Sequence, residues 1–253
     1  MLYLTIITME ININCDLGEK SKLHSNKHDP DLLKIVNSAN VACGFHAGDE
    51  DTMNQVIQIS KDNGVSIGAH PSFNDPENFG RSRINLSSYE IKKLIIEQYE
   101  ILQNIAVKYN ENVSHIKPHG ALYHLACTDE KYARLLTEFA QEGLSLMGLP
   151  KSVLESVCRK QGIGFIPEGF ADRVYEADGN LRKRTLEGSV HNSCDAIMNQ
   201  VINLCTNKVS VFSNEVVELD VDSICFHGDH AEAEKIIQKV VAKLKGLGVG
   251  IRS

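Results

Sequence analysis

The stretch HIKPHGALYH, residues 115–124, decides how this chain folds. In an extended backbone successive side chains point to opposite faces, so His115, Lys117 and His119 share one side and Ile116 and Pro118 the other. A row of imidazole, ammonium and imidazole is an unusual face for a buried strand. It belongs either to a core strand that happens to carry histidine or to the wall of a reaction site.

The same alternation recurs along the chain. In ININCD (11–16), Asn12, Asn14 and Asp16 oppose Ile11, Ile13 and Cys15. In VSIGAH (65–70), Ser66, Gly68 and His70 share a face, and in SICFH (223–227) Ser223, Cys225 and His227 do. NVACGFH (40–46) groups Ala42, Gly44 and His46, with a register loosened by its glycine. GIGFIPEG (162–169) ends at Glu168, and LSLMGLP (144–150) carries no charged tip. Helix signals separate these runs. Ser87 and Glu90 form a capping box ahead of apolar residues at helical spacing to about Tyr109. Further helices are expected over 31–37, 50–62, from Thr128 to near Gly143, from Ser152 to Gly162, over 192–206 and over 231–245.

Strand-like runs thus alternate with helix-like runs, which implies right-handed crossovers and a parallel sheet. An open sheet covered by helices on both sides needs strands that are apolar on both faces. Here one face is small or polar. A closed barrel accounts for this: the apolar face meets outer helices and the polar face lines a central cavity. The expected fold is α/β, an irregular (β/α) barrel of seven parallel strands.

A chain of 253 residues with 42% hydrophobic content suits one such domain, spanning residues 1–253. The formal charge of −7 gives no footprint for nucleic acid or an anionic membrane. Seven cysteines, none spaced C-x-x-C, point to reduced thiols in the cytoplasm rather than disulfides or a zinc knot. The apolar start MLYLTIITME is too short to span a bilayer. Residues 1–8 read as an extension ahead of Met9 or as a lengthening of the first strand.

In a parallel barrel the C-terminal strand ends converge on one mouth, where such folds place their chemistry. Asp16, His46, His70, His119, Glu168 and His227 fall at those ends. Seven of the ten histidines (46, 70, 115, 119, 124, 227 and 230) lie in or near the tips. Each alone could be a hydrogen-bonded structural residue. Together they would be costly to bury without a ligand, water or metal. Lys117, facing the barrel interior, is either salt-bridged to Asp16 or Glu168 or free to hold a carboxylate or phosphate. Asn14 shares the inward face of the first strand. The segment FADRVYEADGNLRKRTLEG (170–188) reads as a loop over the mouth, from which Arg173 and Arg184 could clamp an anion. Arg81 is a weaker candidate for the same work. Cys43 and Cys15 read as buried apolar thiols. A divalent ion on Asp16, His46 and His70 remains open. No P-loop motif occurs.

The motifs NCDLGE (14–19), ANVACGFHAGD (39–49), GAHPSF (68–73), FGR (79–81), KPHGALY (117–123), FADRVYEADGNLRKR (170–184) and HGD (227–229) resemble the LamB/YcsF family, described as the A component of bacterial 5-oxoprolinase. The resemblance covers about residues 10–245. The chain departs from the family at Lys20-Ser21-Lys22, where relatives carry a glycine-rich stretch, and at Ser82, where a second arginine is common. Residues 1–8 have no counterpart. The resemblance implies a barrel similar to the glycoside hydrolase/deacetylase superfamily. It also implies ATP-dependent opening of 5-oxo-L-proline to L-glutamate, with partner subunits B and C and with Mg²⁺ brought by ATP. On that reading Asp16, His46, His70, Lys117, His119 and Glu168 are the catalytic set. Asn14, Arg173, Arg184 and His227 hold substrate and phosphate. Two other readings stay open: a metal-dependent deacetylase or amidase on a related barrel, and a component that only binds substrate.

Overall fold

The computed structural model describes residues 10–22, 24–140, 143–228 and 232–252. The expectations for residues 1–8, Met9, Asp229 and His230 lie outside the described residues.

Seven parallel strands close into a barrel. They are β1 (Glu10–Leu17), β2 (Ser38–Ala42), β3 (Ser66–His70), β4 (Val113–Ile116), β5 (Ser145–Gly148), β6 (Phe165–Phe170) and β9 (Ser223–His227). The circuit runs β1-β2-β3-β4-β5-β6-β9, and β9 pairs back onto β1. Register brings Asp16 level with Asn40 on one side and with His227 on the other. Between β6 and β9 the chain adds an antiparallel hairpin, β7 (Lys208–Ser210) and β8 (Val216–Glu218). A two-residue strand, β10 (Gly250–Ile251), pairs with the start of β1.

The alternation seen in the sequence is what closes the barrel. Ile11, Ile13, Cys15 and Leu17 are fully buried toward the outer helices, within the main hydrophobic core. Inside, a polar lattice replaces aliphatic filling. Asn12 donates to Ser38 Oγ (3.0 Å), Ser223 donates to Asn12 (2.7 Å), and Asn14 donates to Ser223 (2.7 Å). Asn40 donates to both Asn14 and Asp16 at 2.8 Å. Every buried dipole in this column therefore has a partner, which is the condition for burying it cheaply.

Helices form where caps and apolar spacing foretold. The longest, α3 (Ser88–Lys108), opens with the Ser87–Glu90 capping box and buries Ile91, Leu94, Ile95, Leu102, Ile105 and Ala106. α2 (Glu50–Asn63) stops at Gly64, which takes a left-handed φ of 67°. α6 (Val153–Gln161), α7 (Cys194–Leu204) and α8 (Ala233–Gly246) also fall where expected. Two expectations need correction. The helix expected over 31–37 is a single turn, α1 (Asp29–Leu32). The helix expected from Thr128 is α5 (Glu130–Phe139), capped by Asp129, whose side chain accepts from Lys131 N. Thr128 instead ends a separate helix, α4 (Gly120–Thr128). This helix is apolar nearly throughout and has no side-chain cap, so no start signal marked it.

Among the described residues no helix is long and apolar enough to cross a membrane.

Candidate active site

β4 itself ends at Ile116, but its pairing continues through the backbone: Lys117 N donates to Ala69 O and His119 N to Pro71 O. His115, Lys117 and His119 thus keep the alternation of the strand and climb one wall, with His119 at the start of α4. Two glycines make this possible. Gly80, in the FGR stretch, and Gly120 both take positive φ (65° and 55°). A Cβ on Gly120 would stand 2.4 Å from Gly80 O, so only bare backbone lets the FGR turn lie against the rim.

At the centre lies Lys117, 1% exposed. Its Nζ stands 2.9 Å from Asp16 Oδ1 and 2.9 Å from Glu168 Oε2, and 3.2 Å from Cys225 Sγ. Both internal salt bridges that the sequence allowed are formed, and the ammonium is spent on them. Burial alone would lower the lysine's pKa, but Asp16, Cys225 and Glu168 raise it well above the ordinary value. The two carboxylates differ. Burial opposes ionisation of Asp16, yet Lys117 and His70 hold it well below the usual carboxylate range. Glu168 is raised, because burial outweighs Lys117 and Asp16 repels it. The Lys117 and Tyr123 side chains offset only part of the effect of burial on Glu168. Glu168 sits two residues before the end of β6 and is fully buried, deeper than the rim position expected. Asn14 is likewise fully buried in the lattice below, where it positions Asn40 and through it Asp16.

A second cluster forms where loops meet the rim. His46 lies beyond β2, not on it: the strand ends at Ala42, and the loop returns the ring to the mouth. His46, His70 and His119 converge with Glu19, a residue the alternation could not flag. Gly18 turns the chain at a φ of 72° just past β1, so strand periodicity no longer says where Glu19 points. Its only sequence signal was membership of NCDLGE. Burial holds His46 and His119 well below the ordinary histidine pKa, with neighbouring imidazoles adding to the effect. His70 moves the other way: burial lowers it, but Asp16 at 3.5 Å overcomes that and raises it. His115, deepest of the set, is pushed down to about 4 by burial and by Lys117. Its Nε2 meets Asn40 Oδ1 at 2.9 Å, an interior structural role.

On the opposite wall Asp172, another residue not singled out in the sequence, accepts from His227 Nδ1 at 2.8 Å, and Arg184 donates to His227 Nε2 at 2.9 Å. The imidazole thus links the carboxylate to the guanidinium. Arg173 gives Nε to Ser189 O (3.2 Å) and Nη2 to Arg182 O (2.6 Å). It stitches the 170–190 loop rather than presenting both arms of a clamp. Cys15 and Cys43 are buried, and burial pushes the Cys43 thiol up to about 12, so neither offers a nucleophile.

These groups surround a cavity of about 760 Å³. Its floor includes Asp16, Lys117, His70 and His119, and its rim carries Arg81, Arg83, Arg182, Lys183 and Arg184. Arg83, two residues past Arg81, was not anticipated. The 170–188 segment does cover the mouth, with residues 180–185 on its lining.

A model of the LamB/YcsF family matches residues 11–253. The chain belongs to the LamB/YcsF family. It is 36% identical over 247 residues to the 5-oxoprolinase A component of Staphylococcus carnosus (strain TM300), covering 96% of this chain and 98% of that one. With the like-named protein of Staphylococcus aureus (strain Newman) it shares 38% over 249 residues, covering 97% and 100%. Among solved structures, the lactam utilization protein from Thermus thermophilus superposes with a TM-score of 0.88 at 31% identity, covering 96% of this chain and 99% of that one. This LamB/YcsF chain therefore spans its relatives from end to end, with its polar residues gathered in one hollow.

Proposed function

We propose that this chain is the A component of an ATP-dependent 5-oxoprolinase, which opens 5-oxo-L-proline to L-glutamate together with subunits B and C in the cytoplasm. The observation that carries this reading is a cavity in two tiers. Five cationic side chains ring the mouth of a chain whose formal charge is −7, above a floor of carboxylates and imidazoles. Near-full-length similarity to proteins named as this component of 5-oxoprolinase supports the choice of substrate.

The chemistry follows from the substrate. A five-membered lactam is a stable amide and a poor electrophile. Attack of its carbonyl oxygen on the γ-phosphorus of ATP forms a C–O–P linkage and expels ADP. A first water then adds at the activated carbon and the ring C–N bond breaks, leaving the γ-carboxyl of glutamate as an acyl phosphate. A second water cleaves that acyl phosphate to L-glutamate and free phosphate. Positioning and charge stabilisation supply most of the rate in such a transfer. Arg81, Arg83 and Arg184 hold the triphosphate with its Mg²⁺, because Lys117 is already neutralised by two carboxylates. Asp16, ionised and aimed at the cavity, accepts the proton of the attacking water and passes it to the departing nitrogen.

The test is reconstitution with subunits B and C. Glutamate and phosphate should appear in equal amounts from 5-oxoproline and ATP, and Asp16→Asn should abolish both while the complex still assembles. A complete, folded complex that releases no glutamate overturns the assignment.

A further inference from the structure

The rim cluster has a geometry that protons alone do not explain. Glu19 Oε1 stands 3.3 Å from His46 Nε2, 3.2 Å from His119 Nδ1 and 3.8 Å from His70 Nε2. His70 Nε2 and His119 Nδ1 are 2.9 Å apart. All four donor atoms fall within 4.8 Å of one another.

The outward nitrogen of each ring is already committed. His70 Nδ1 meets Lys117 O at 2.6 Å, and His119 Nε2 meets Phe79 O at 2.9 Å. A carbonyl can only accept, so both nitrogens carry hydrogen. Ser72 gives its hydroxyl proton to Phe73 O (2.9 Å) and therefore accepts from His46 Nδ1 at 2.8 Å. These three bonds fix the tautomers. With each ring neutral, the form in which imidazole binds a metal, the three inward nitrogens carry lone pairs that face one another and a carboxylate oxygen. One proton bridges two such atoms; it cannot serve four.

We propose that Glu19, His46, His70 and His119 form a binding site for a divalent transition metal ion of the zinc class. Zinc–nitrogen bonds of about 2.0–2.1 Å place tetrahedral ligands roughly 3.3 Å apart, which matches the glutamate contacts to His46 and His119. Three imidazoles and one carboxylate select a borderline cation such as Zn²⁺ over Mg²⁺, which prefers oxygen and keeps its waters. Anchoring each ring through its far nitrogen to a carbonyl or hydroxyl is the outer-shell support that metal-binding histidines require. His46 and His119 lie stacked, 3.9 Å apart and 4° from parallel, so ligation needs one ring to tilt until both lone pairs meet at a point. The ligand set differs from Asp16, His46 and His70: it is Glu19, together with His119, whose donor atoms lie within 4.8 Å of those of His46 and His70.

Glu19, His70 and His119 line the large cavity, so the ion would face whatever binds there. A cation in that place would polarise a bound carbonyl. That role rests on the lactam reading; the binding does not.

The experiment uses the untagged full chain, stripped with a chelator and dialysed against Zn²⁺ or Co²⁺, with bound metal measured by elemental analysis. One equivalent per chain is expected, and Co²⁺ should show the intense visible bands of a tetrahedral site. Glu19→Gln keeps the side-chain shape and should weaken binding about 100-fold or more. Ser72→Ala, which touches no metal, should weaken it roughly 10–100-fold. Should Glu19→Gln fail to fold, Ser72→Ala and the Co²⁺ spectrum still decide the matter. Substoichiometric uptake by the folded wild-type chain overturns the proposal. So does stoichiometric binding that neither variant changes. Because the readout is metal content, failure here leaves the glutamate assay untouched, and failure of that assay leaves this one standing.

Discussion

Replacing Lys117 with methionine keeps the aliphatic stem and removes only the charge that Asp16 and Glu168 share. Each ion contact is 2.9 Å long, worth roughly 6 kcal/mol in gross Coulomb energy at an effective dielectric of 20. Most of that is offset by the desolvation of three buried ions. What the substitution leaves behind is two buried carboxylates and no cation, and breaking a buried pair in this way costs about 3–5 kcal/mol. The cost should depend on pH. Without Lys117 the folded-state pKa of both carboxyls rises, that of Glu168 from a value already raised. A carboxyl with a raised folded pKa makes the folded state bind more protons than the unfolded one, so stability falls as pH increases through that window. Lys117→Met should therefore lose its full 3–5 kcal/mol near pH 8 and distinctly less near pH 5.5. Adding Glu168→Gln should recover part of the loss at pH 8. Urea unfolding of the three proteins at both pH values measures this. A loss below about 1 kcal/mol, the size of an exposed pair, refutes the account of Lys117 as a buried keystone. An equal loss at both pH values refutes the role given to Glu168.

Three further outcomes are expected. Burial lifts the Asp29 carboxyl from 3.8 to about 7, although Gly18 N–H donates to it. Its folded pKa exceeds the unfolded one, so it costs stability as pH rises from about 4 to 7. Asp29→Asn, which can still accept from Gly18, should stabilise the chain by on the order of 2–4 kcal/mol at pH 8 and flatten that slope in denaturation curves. A Cβ on Gly68 would lie 2.1 Å from His115 Nε2, so Gly68→Ala must push the ring off Asn40 and should cost about 2–4 kcal/mol; an unchanged melting temperature would refute the packed interior. Arg83→Ala should raise KM for ATP in the reconstituted complex with little effect on melting, and an unchanged KM would remove the arginine from the phosphate site.

The barrel was legible in the sequence because its interior is polar. Asn12, Asn14 and Asp16 against Ile11, Ile13 and Cys15 state both the strand and its orientation, and the structure places each as that pattern requires. What alternation could not reach were groups delivered by turns. Glu19 follows a left-handed glycine and Asp172 comes just after β6; His46, which the pattern did single out, stands on a loop and not on the strand it was read from. For such residues the direction of a side chain is set by two or three dihedral angles and by contacts distant in sequence. Lys117 was ambiguous for a different reason. Its alternation fixed which way it points, but only the registers of β1 and β6 could say that two carboxylates await it.

That ambiguity, once resolved, bears on how the site can work. A lysine held between two buried carboxylates has little attraction left for an anion, and moving it toward one would expose both acids to the cost they now avoid. The groove must therefore draw its anionic ligands with the rim, where Arg81, Arg83, Lys183 and Arg184 belong to loops and stand exposed. Exposed guanidiniums attract from a distance but are screened by salt, whereas buried pairs are screened far less. Ligand capture should thus weaken as ionic strength rises, while the floor keeps its protonation pattern. If instead the binding of the anionic substrates were indifferent to salt, the division of labour between rim and floor would be wrong, and Lys117 would have to be the anion's partner after all.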